Sequence, residues 1–394
     1  MHLRVTSFLA LAALFLIGPV TYRPQAADDV TVLRLPEGAM QPEAAVGPDG
    51  VLHVVYLRGE PGSADIHYVR SSTPGAPFSK PIRVNSQPGS AIAAGTIRGA
   101  QLAIGRNGRV HVVWNGSGSA LPKPPAAAGR KPGMPFLYAH TNAAGTGFEP
   151  QRNLMTRTAN LDGGGSIAAD DLGNVYAAWH ANALEDGGTE TDRRVWIAVS
   201  TGGGAKFSAE RAISDPATGV CGCCGMRMVA GTGGMLQILY RAATDRMHRD
   251  VYSLTSSDAG LSFTSKRIHP WAIAACPMTS MAIVADRGGL IGAWETDGQV
   301  YFGGLRNDEP PSAAPGQPTD KSRRKHPRLA AGPDGTMLLV WTEGMSWGKG
   351  GRLAWQGYDA QRRPTPISGR SDGVVAWSYA AVVARPAGGF SIIY

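Results

Sequence analysis

One unit recurs seven times along this chain, and nothing else in the sequence limits its fold so strongly. It is a short apolar strand, a tight turn built from Gly, Asp or Asn, and an alternating strand that ends on an aromatic residue. The first copy runs Ala45-Val46-Gly47-Pro48-Asp49-Gly50-Val51-Leu52-His53-Val54-Val55-Tyr56, and the others end on Trp114, Trp179, Tyr240, Trp294, Trp341 and Tyr394. Turn pairs such as Asn107-Gly108 and Asp334-Gly335 supply the positive φ that two-residue hairpins require. Each copy occupies about the length of a four-stranded propeller blade. The 52 glycines and 28 prolines therefore act as punctuation between strands, and helical periodicity is absent. The expectation is an all-β, seven-bladed β-propeller formed as a single domain over residues 28–394. The extended segment Val30 to Pro36 completes the last blade, so that no sheet edge stays open.

The segment before this domain has the layout of a secretory leader. His2 and Arg4 precede an apolar run from Phe8 to Ile17, Gly18-Pro19 breaks it, and Ala26-Ala27 stand before Asp28. The run is short for a bilayer span. Residues 1–27 are thus expected to be a signal peptide, placing the mature chain in the periplasm or outside the cell with no membrane span after cleavage. Removing them takes away Arg4 and Arg23 and no acid, lowering the formal charge from +8 to +6. So small an excess argues against nucleic acid as a partner and only weakly for an anionic one.

A second motif follows the third strand of several units. Ser256-Ser257-Asp258-Ala259-Gly260-Leu261-Ser262-Phe263 fits the pattern S-x-D-x-G-x-[ST]-[FW], the Asp-box. Degenerate copies keep Ser71, Gly75 and Phe78; Thr141, Gly145 and Phe148; and Ser200, Gly204 and Phe207. On these residues the chain resembles the sialidase-like, BNR-repeat β-propellers, in which the box is a structural hairpin device. The resemblance also offers the alternative of six blades, the number usual in sialidases. Leu33-Arg34-Leu35-Pro36 echoes that family's Phe/Tyr-Arg-Ile-Pro but departs at its first position. No third arginine or nucleophilic tyrosine stands at a matching place, so catalytic residues are not carried over.

The propeller arrangement sorts residues by face. Loops that lead into inner strands and leave second strands share one mouth of the central channel. They carry Glu43, Arg58, Arg98, Asn115, Asp162, His180, Arg241, Glu295, His326 and Glu343 together with all four cysteines. With only 17% of the chain charged, this concentration marks the expected binding face. The candidate ligand-binding set is Glu43, Arg98, Asp162, His180, Arg241, Glu295 and Glu343. Arg98 and Arg241 are the candidates for forked recognition of a carboxylate.

Cys221-Gly222-Cys223-Cys224 and Cys276-Pro277 open two successive units. With Tyr240-Arg241 and Arg249-Asp250, they resemble segments of a group of exported bacterial, sialidase-like propellers of no established activity. Two chemistries are open. An even cysteine count in an exported protein favours disulfides, for example Cys276 with one of the first three. A bond inside the C-x-C-C run would be strained. Alternatively Cys221, Cys223, Cys224 and Cys276 with His326 could hold copper or zinc, with Met226, Met228, Met278, Met281, His180 and His269 nearby.

Two long segments without periodicity, 120–135 and 308–326, are expected to be flexible loops. The first carries Lys123, Arg130 and Lys131, and the second Lys321, Arg323, Arg324 and Lys325. The expected function is recognition or processing of a small extracellular, glycan-like ligand at the mouth. A copper- or zinc-binding periplasmic protein and a platform for an exported protein partner are the alternatives.

Overall fold

Apolar alternation broken by glycine-bearing turns builds seven sheets around one axis in the computed structural model, which describes residues 29–186, 188–306, 308–319 and 322–394. The proposed leader and Lys321 lie outside these residues. The inner strands are Met40–Val46, Gln101–Ile104, Ser166–Ala169, Arg227–Ala230, Met281–Asp286, Arg324–Ala331 and Ala381–Ala384. Each pairs antiparallel with the second strand of its hairpin. Five of the sheets hold four strands and the third holds five, because Thr158–Ala159 pairs with the far end of Val175–Ala183.

The seventh sheet shows how the ring closes. Its first two strands, Ala381–Ala384 and Phe390–Ile393, come from the C-terminal end of the chain, and Val30–Leu33 adds the third in parallel, with Val30 opposite Phe390 and Leu33 opposite Ile393. Joining the two ends of the chain in one sheet removes an open edge. The architecture is the seven-bladed propeller that the repeat predicts, and the six-bladed alternative falls.

Seven apolar clusters each join one blade to the next, including the first to the seventh. The aromatic residues that end the second strands lie within this core, and Trp114, Trp179 and Trp294 are almost fully buried. Each indole removes on the order of 200 Å² from water, a gross gain of roughly 5 kcal/mol at about 25 cal/mol per Å². Their N–H groups find acceptors at the mouth end: Ser90 O, Thr158 Oγ1 and His269 Nδ1.

The intact Asp-box sits between the third and fourth strands of blade four. Asp258 accepts from the Ser256 hydroxyl and from the Ser262 backbone and hydroxyl, while Gly260 N donates to Ser256 Oγ. These donors hold the Asp258 carboxyl at about 2. The box occupies the face opposite the mouth and acts as a hairpin lock.

Candidate functional site

Two cavities meet the mouth face, and they are built differently. The axial channel, about 570 Å³, is walled by the small aliphatic residues of all seven inner strands, such as Ala45, Ala103, Ala168, Val229, Ile283, Ala330 and Val383. At its mouth end Glu43 of blade one ion-pairs with Arg227 of blade four and with Arg328 of blade six at 3.8 Å. The Arg328 guanidinium lies 4.3 Å from the centre of the Tyr379 ring. All three ionic groups are largely buried, so they form a charged belt across the axis.

The second cavity, about 430 Å³, lies off axis among the loops of blades four to seven and one loop from blade two. Trp271, Trp347 and Trp377 line it, with Glu295, Asp297, Arg323 and Lys325. Trp347 is 66% exposed and meets Trp377 edge to face at 4.5 Å. The backbone around this cleft is unusual. Five of the twelve non-glycine residues with positive φ among the described residues line it: Thr96 at 58°, Met278 at 46°, Asp297 at 52°, His326 at 53° and Trp377 at 63°. The left-handed region disfavours side chains with a Cβ, and β-branched threonine most of all.

Two bulges help to hold these conformations. A register shift between Lys325 and Arg328 turns His326 inward, a common use of a bulge beside a site. Its Nδ1 bonds Thr342 Oγ1 at 2.8 Å and its Nε2 bonds Thr96 Oγ1 at 2.9 Å, which ties blade six to the loop from blade two. A second shift between Met40 and Glu43 places Gln41, whose amide donates to the carbonyls of Ala93 and Trp377.

Glu295 anchors the cleft wall. Its Oε1 accepts from Ser280 N and Oγ, both at 3.0 Å, and from His326 N at 2.8 Å, and its Oε2 lies 3.4 Å from Lys325 Nζ. Behind the wall, Arg241 is fully buried. It donates to Thr279 Oγ1 at 2.7 Å and to the carbonyls of Arg249 and Glu295, and it stacks 5.0 Å from the Trp271 ring centre. Burial pushes its guanidinium below the usual range, opposed by the nearby sulfur of Cys224. The fork expected to grip a ligand is thus spent on the protein's own acceptors, and Arg241 supports the cleft from behind.

The other candidates disperse. Arg98 pairs with Asp162 and also donates to Asp162 O and Ala94 O. Glu343 lies within blade six among Arg324, Arg352 and Arg370, and accepts from Trp341 Nε1. His180 Nε2 donates to Cys224 O at 2.8 Å, and its Nδ1 is buried without a partner. Burial, reinforced by Arg193, lowers His180 to about 4, so the ring is neutral at pH 7. Of the expected site residues, the cleft gathers Glu295, His326 and Cys276. The sequence reading passed over the tryptophans that wall it. Their signal was aromatic residues standing outside the strand alternation.

Cys223 and Cys276 form a disulfide that joins the loops opening blades four and five. Cys221 and Cys224 are free and buried, with their sulfurs 2.8 Å apart, and Cys221 Sγ lies 3.6 Å from Cys223 Sγ. Burial raises a thiol, but the contact with Cys221, the Arg241 charge and the Thr279 hydroxyl, which donates at 3.3 Å, reverse this and hold Cys224 below the ordinary thiol range. Cys221 is held well above the ordinary thiol range by its contact with Cys224 and by burial. Gly163 admits this loop: a Cβ there would stand 2.2 Å from Cys224 O and 2.7 Å from Gly222 O.

Cys221, Cys223, Cys224, Cys276 and His326, the donors expected for copper or zinc, are not brought together as five free ligands. Among the described residues the one convergent cluster is Cys221, Cys223 and Cys224. The disulfide removes Cys223 and Cys276 as thiolates, and both nitrogens of His326 are taken by threonine hydroxyls. Two thiols are fewer than the four ligands of structural zinc. Met226, Met228 and Met281 fill cores between blades, and His269 caps Trp294.

A seven-bladed propeller with a tryptophan-walled lateral cleft is the class of protein these features define. No protein-family model and no curated protein matches the chain. Among solved structures it is similar to a Hadza microbial sialidase at 13% identity and TM-score 0.49, covering 90% of this chain and 65% of that one. An α-L-arabinanase of Penicillium chrysogenum, complexed with arabinobiose, is similar at 12% identity and TM-score 0.48, covering 86% and 94%. A point mutant of the NanB sialidase from Streptococcus pneumoniae is similar at 12% identity and TM-score 0.45, covering 90% and 64%. The chain thus spans about two thirds of the length of the two sialidases. These likenesses concern the fold alone.

Proposed function

We propose that this protein is an exported binding protein for a small glycan, held in the lateral cleft and not on the propeller axis. The concentration of left-handed, non-glycine backbone around that cleft carries the reading. Such conformations cost about 1–3 kcal/mol each and persist where surrounding structure over-determines them, typically at sites of function. The cleft also has the size of a small-molecule site, which runs roughly 300–1,000 Å³. Indole faces are suited to the apolar faces of sugar rings, and Asp297 and Arg323 at the rim offer polar contacts to hydroxyls. The apolar run from Phe8 to Ile17 supports export, and the Cys223–Cys276 disulfide suits an oxidising compartment.

Binding is favoured over hydrolysis by the state of Glu295. Glycosidases use two carboxylates that face the scissile bond. Glu295 is 3% exposed and its oxygens are engaged by Ser280, His326 and Lys325, which leaves Asp297 as the exposed carboxylate of the cleft. Calorimetric titration with sialyllactose and with arabinobiose, paired with turnover assays on fluorogenic glycosides, tests this. Saturable binding without turnover is expected. Turnover would replace the binding reading with a processing one, and no heat from either sugar or from a wider panel of acidic and neutral oligosaccharides would end the glycan reading.

A further inference from the structure

The four sulfurs form a continuous line from the cleft wall to the interior. Cys276 is exposed at the wall, Cys223 is bonded to it, Cys221 lies 3.6 Å from Cys223, and Cys224 lies 2.8 Å from Cys221. A sulfur pair at 3.6 Å is in van der Waals contact, so Cys221 already touches the disulfide. The pair at 2.8 Å is closer still. Apolar and polar groups close off the inner end: Cys221 is 0% and Cys224 1% exposed, packed with Ala243 and Met278. An external thiol can therefore meet this line at Cys276 and not at its inner end.

We propose that the four cysteines are a thiol–disulfide exchange site in which one disulfide alternates between Cys223–Cys276 and Cys221–Cys224. The step starts with Cys224 as the thiolate, which takes up the Cys221 proton across their contact and leaves Cys221 as the thiolate. Cys221 sulfur then attacks Cys223 Sγ, forming a Cys221–Cys223 bond and breaking Cys223–Cys276, with Cys276 leaving as a thiolate. The ring closed by residues two apart is small and strained. Cys224 returns the proton to solvent or to Cys276 and attacks Cys221, displacing Cys223 as a thiolate that takes up a proton. One disulfide and two reduced cysteines stand on each side, with protons exchanged with solvent, so no outside oxidant or reductant enters. The outcome is a buried Cys221–Cys224 disulfide and a free Cys276 on the cleft wall, open to an extracellular disulfide or thiol. Because Cys276, Pro277 and Met278 line the cleft, migration also unties that wall from blade four.

Time-resolved alkylation of the native full chain tests the exchange, using iodoacetamide without reductant followed by peptide mapping under non-reducing conditions. The expected result is progressive labelling of Cys276, at least tenfold slower in Cys221→Ser and Cys224→Ser. In the wild type, molecules labelled at Cys276 should carry a Cys221–Cys224 crosslink, a readout that needs no variant to fold. Cys276 that stays unlabelled while Cys221 and Cys224 are modified, or labelled Cys276 without that crosslink, would overturn the proposal.

Discussion

The axial channel and the lateral cleft open on the same face, yet their walls solve opposite problems. The channel is lined by alanine and valine from all seven blades and is crossed by Glu43, Arg227 and Arg328. Its one carboxylate is shared by two guanidinium groups. The cleft is lined by loops, carries tryptophans that are partly open to solvent, and keeps its backbone in left-handed conformations. Symmetry favours the axis as a ligand site, but on the reading proposed above the axis holds the blades together and the asymmetric loops carry recognition. Polar groups buried at the symmetric centre are therefore expected to govern stability, and exposed groups off axis to govern binding.

Glu43→Ala is the strongest test of the first half. It leaves two largely buried guanidinium groups without their carboxylate, and breaking a buried pair this way costs about 3–5 kcal/mol. Urea denaturation should show that loss, while any glycan affinity of the remaining folded protein stays within about twofold. A loss of binding without loss of stability would move the ligand onto the axis.

The next effect concerns the support of the cysteine loop. His180 is depressed from 6.5 to about 4 by burial, so the unfolded chain binds its proton first as pH falls. The stabilisation is complete above about pH 6.5 and is lost progressively down to about pH 4. At about 1.4 kcal/mol per unit this is on the order of 3 kcal/mol. Burial also lowers His111, on the opposite face, to about 3, so the wild-type slope in this window has contributions from both faces. Unfolding measured between pH 7 and 4 should show a shallower slope in His180→Gln than in the wild type. Equal slopes would mean that His180 is already protonated or already solvated in the folded protein.

These two sites also show what was legible in the sequence. The blades were readable because each hairpin is local: turn glycines and period-two alternation lie within about a dozen residues, and the burial of Tyr56, Trp114 or Trp294 follows from strand position. Glu43 was expected in the loop leading into the first inner strand and lies within that strand, and its partners come from blades four and six, a pairing set by the ring and carried by no spacing along the chain. Arg241 illustrates the same limit. It was expected in the loop after a second strand and is the last residue of that strand, and its burial over Trp271 depends on how the loop after blade four folds back. The cleft draws on Thr96, Trp271, Asp297, Trp347 and Trp377 from five separate loops. Loops have no period, so nothing local announces that they converge.

Gly163→Ala is expected to have an intermediate effect. The added methyl would press on Cys224 O, Gly222 O and His180 Nε2, and overpacking of this kind typically costs about 1–3 kcal/mol. Because the displaced segment carries Cys221 and Cys224, thermal melting should fall and the alkylation rate of those thiols should rise together. A lower melting temperature with unchanged thiol reactivity would mean that the strain is relieved in the blade-three loop instead.

Trp347→Ala should be nearly silent in stability and is the sharpest probe of the second half. The side chain is 66% exposed and packs on Trp377 alone among the aromatic residues described, so its removal should shift unfolding by no more than about 0.5 kcal/mol. Truncating an aromatic anchor of a binding site costs about 2 kcal/mol or more, roughly a thirtyfold rise in Kd. Glu43→Ala and Trp347→Ala then form a double dissociation, one disabling the ring and sparing the ligand, the other doing the reverse. If Trp347→Ala binds as the wild type does while Trp377→Ala does not, the inner indole holds the ligand and Trp347 is only its outer guard. If neither variant loses affinity, the cleft is not the binding surface and the separation of stability from recognition on this face fails.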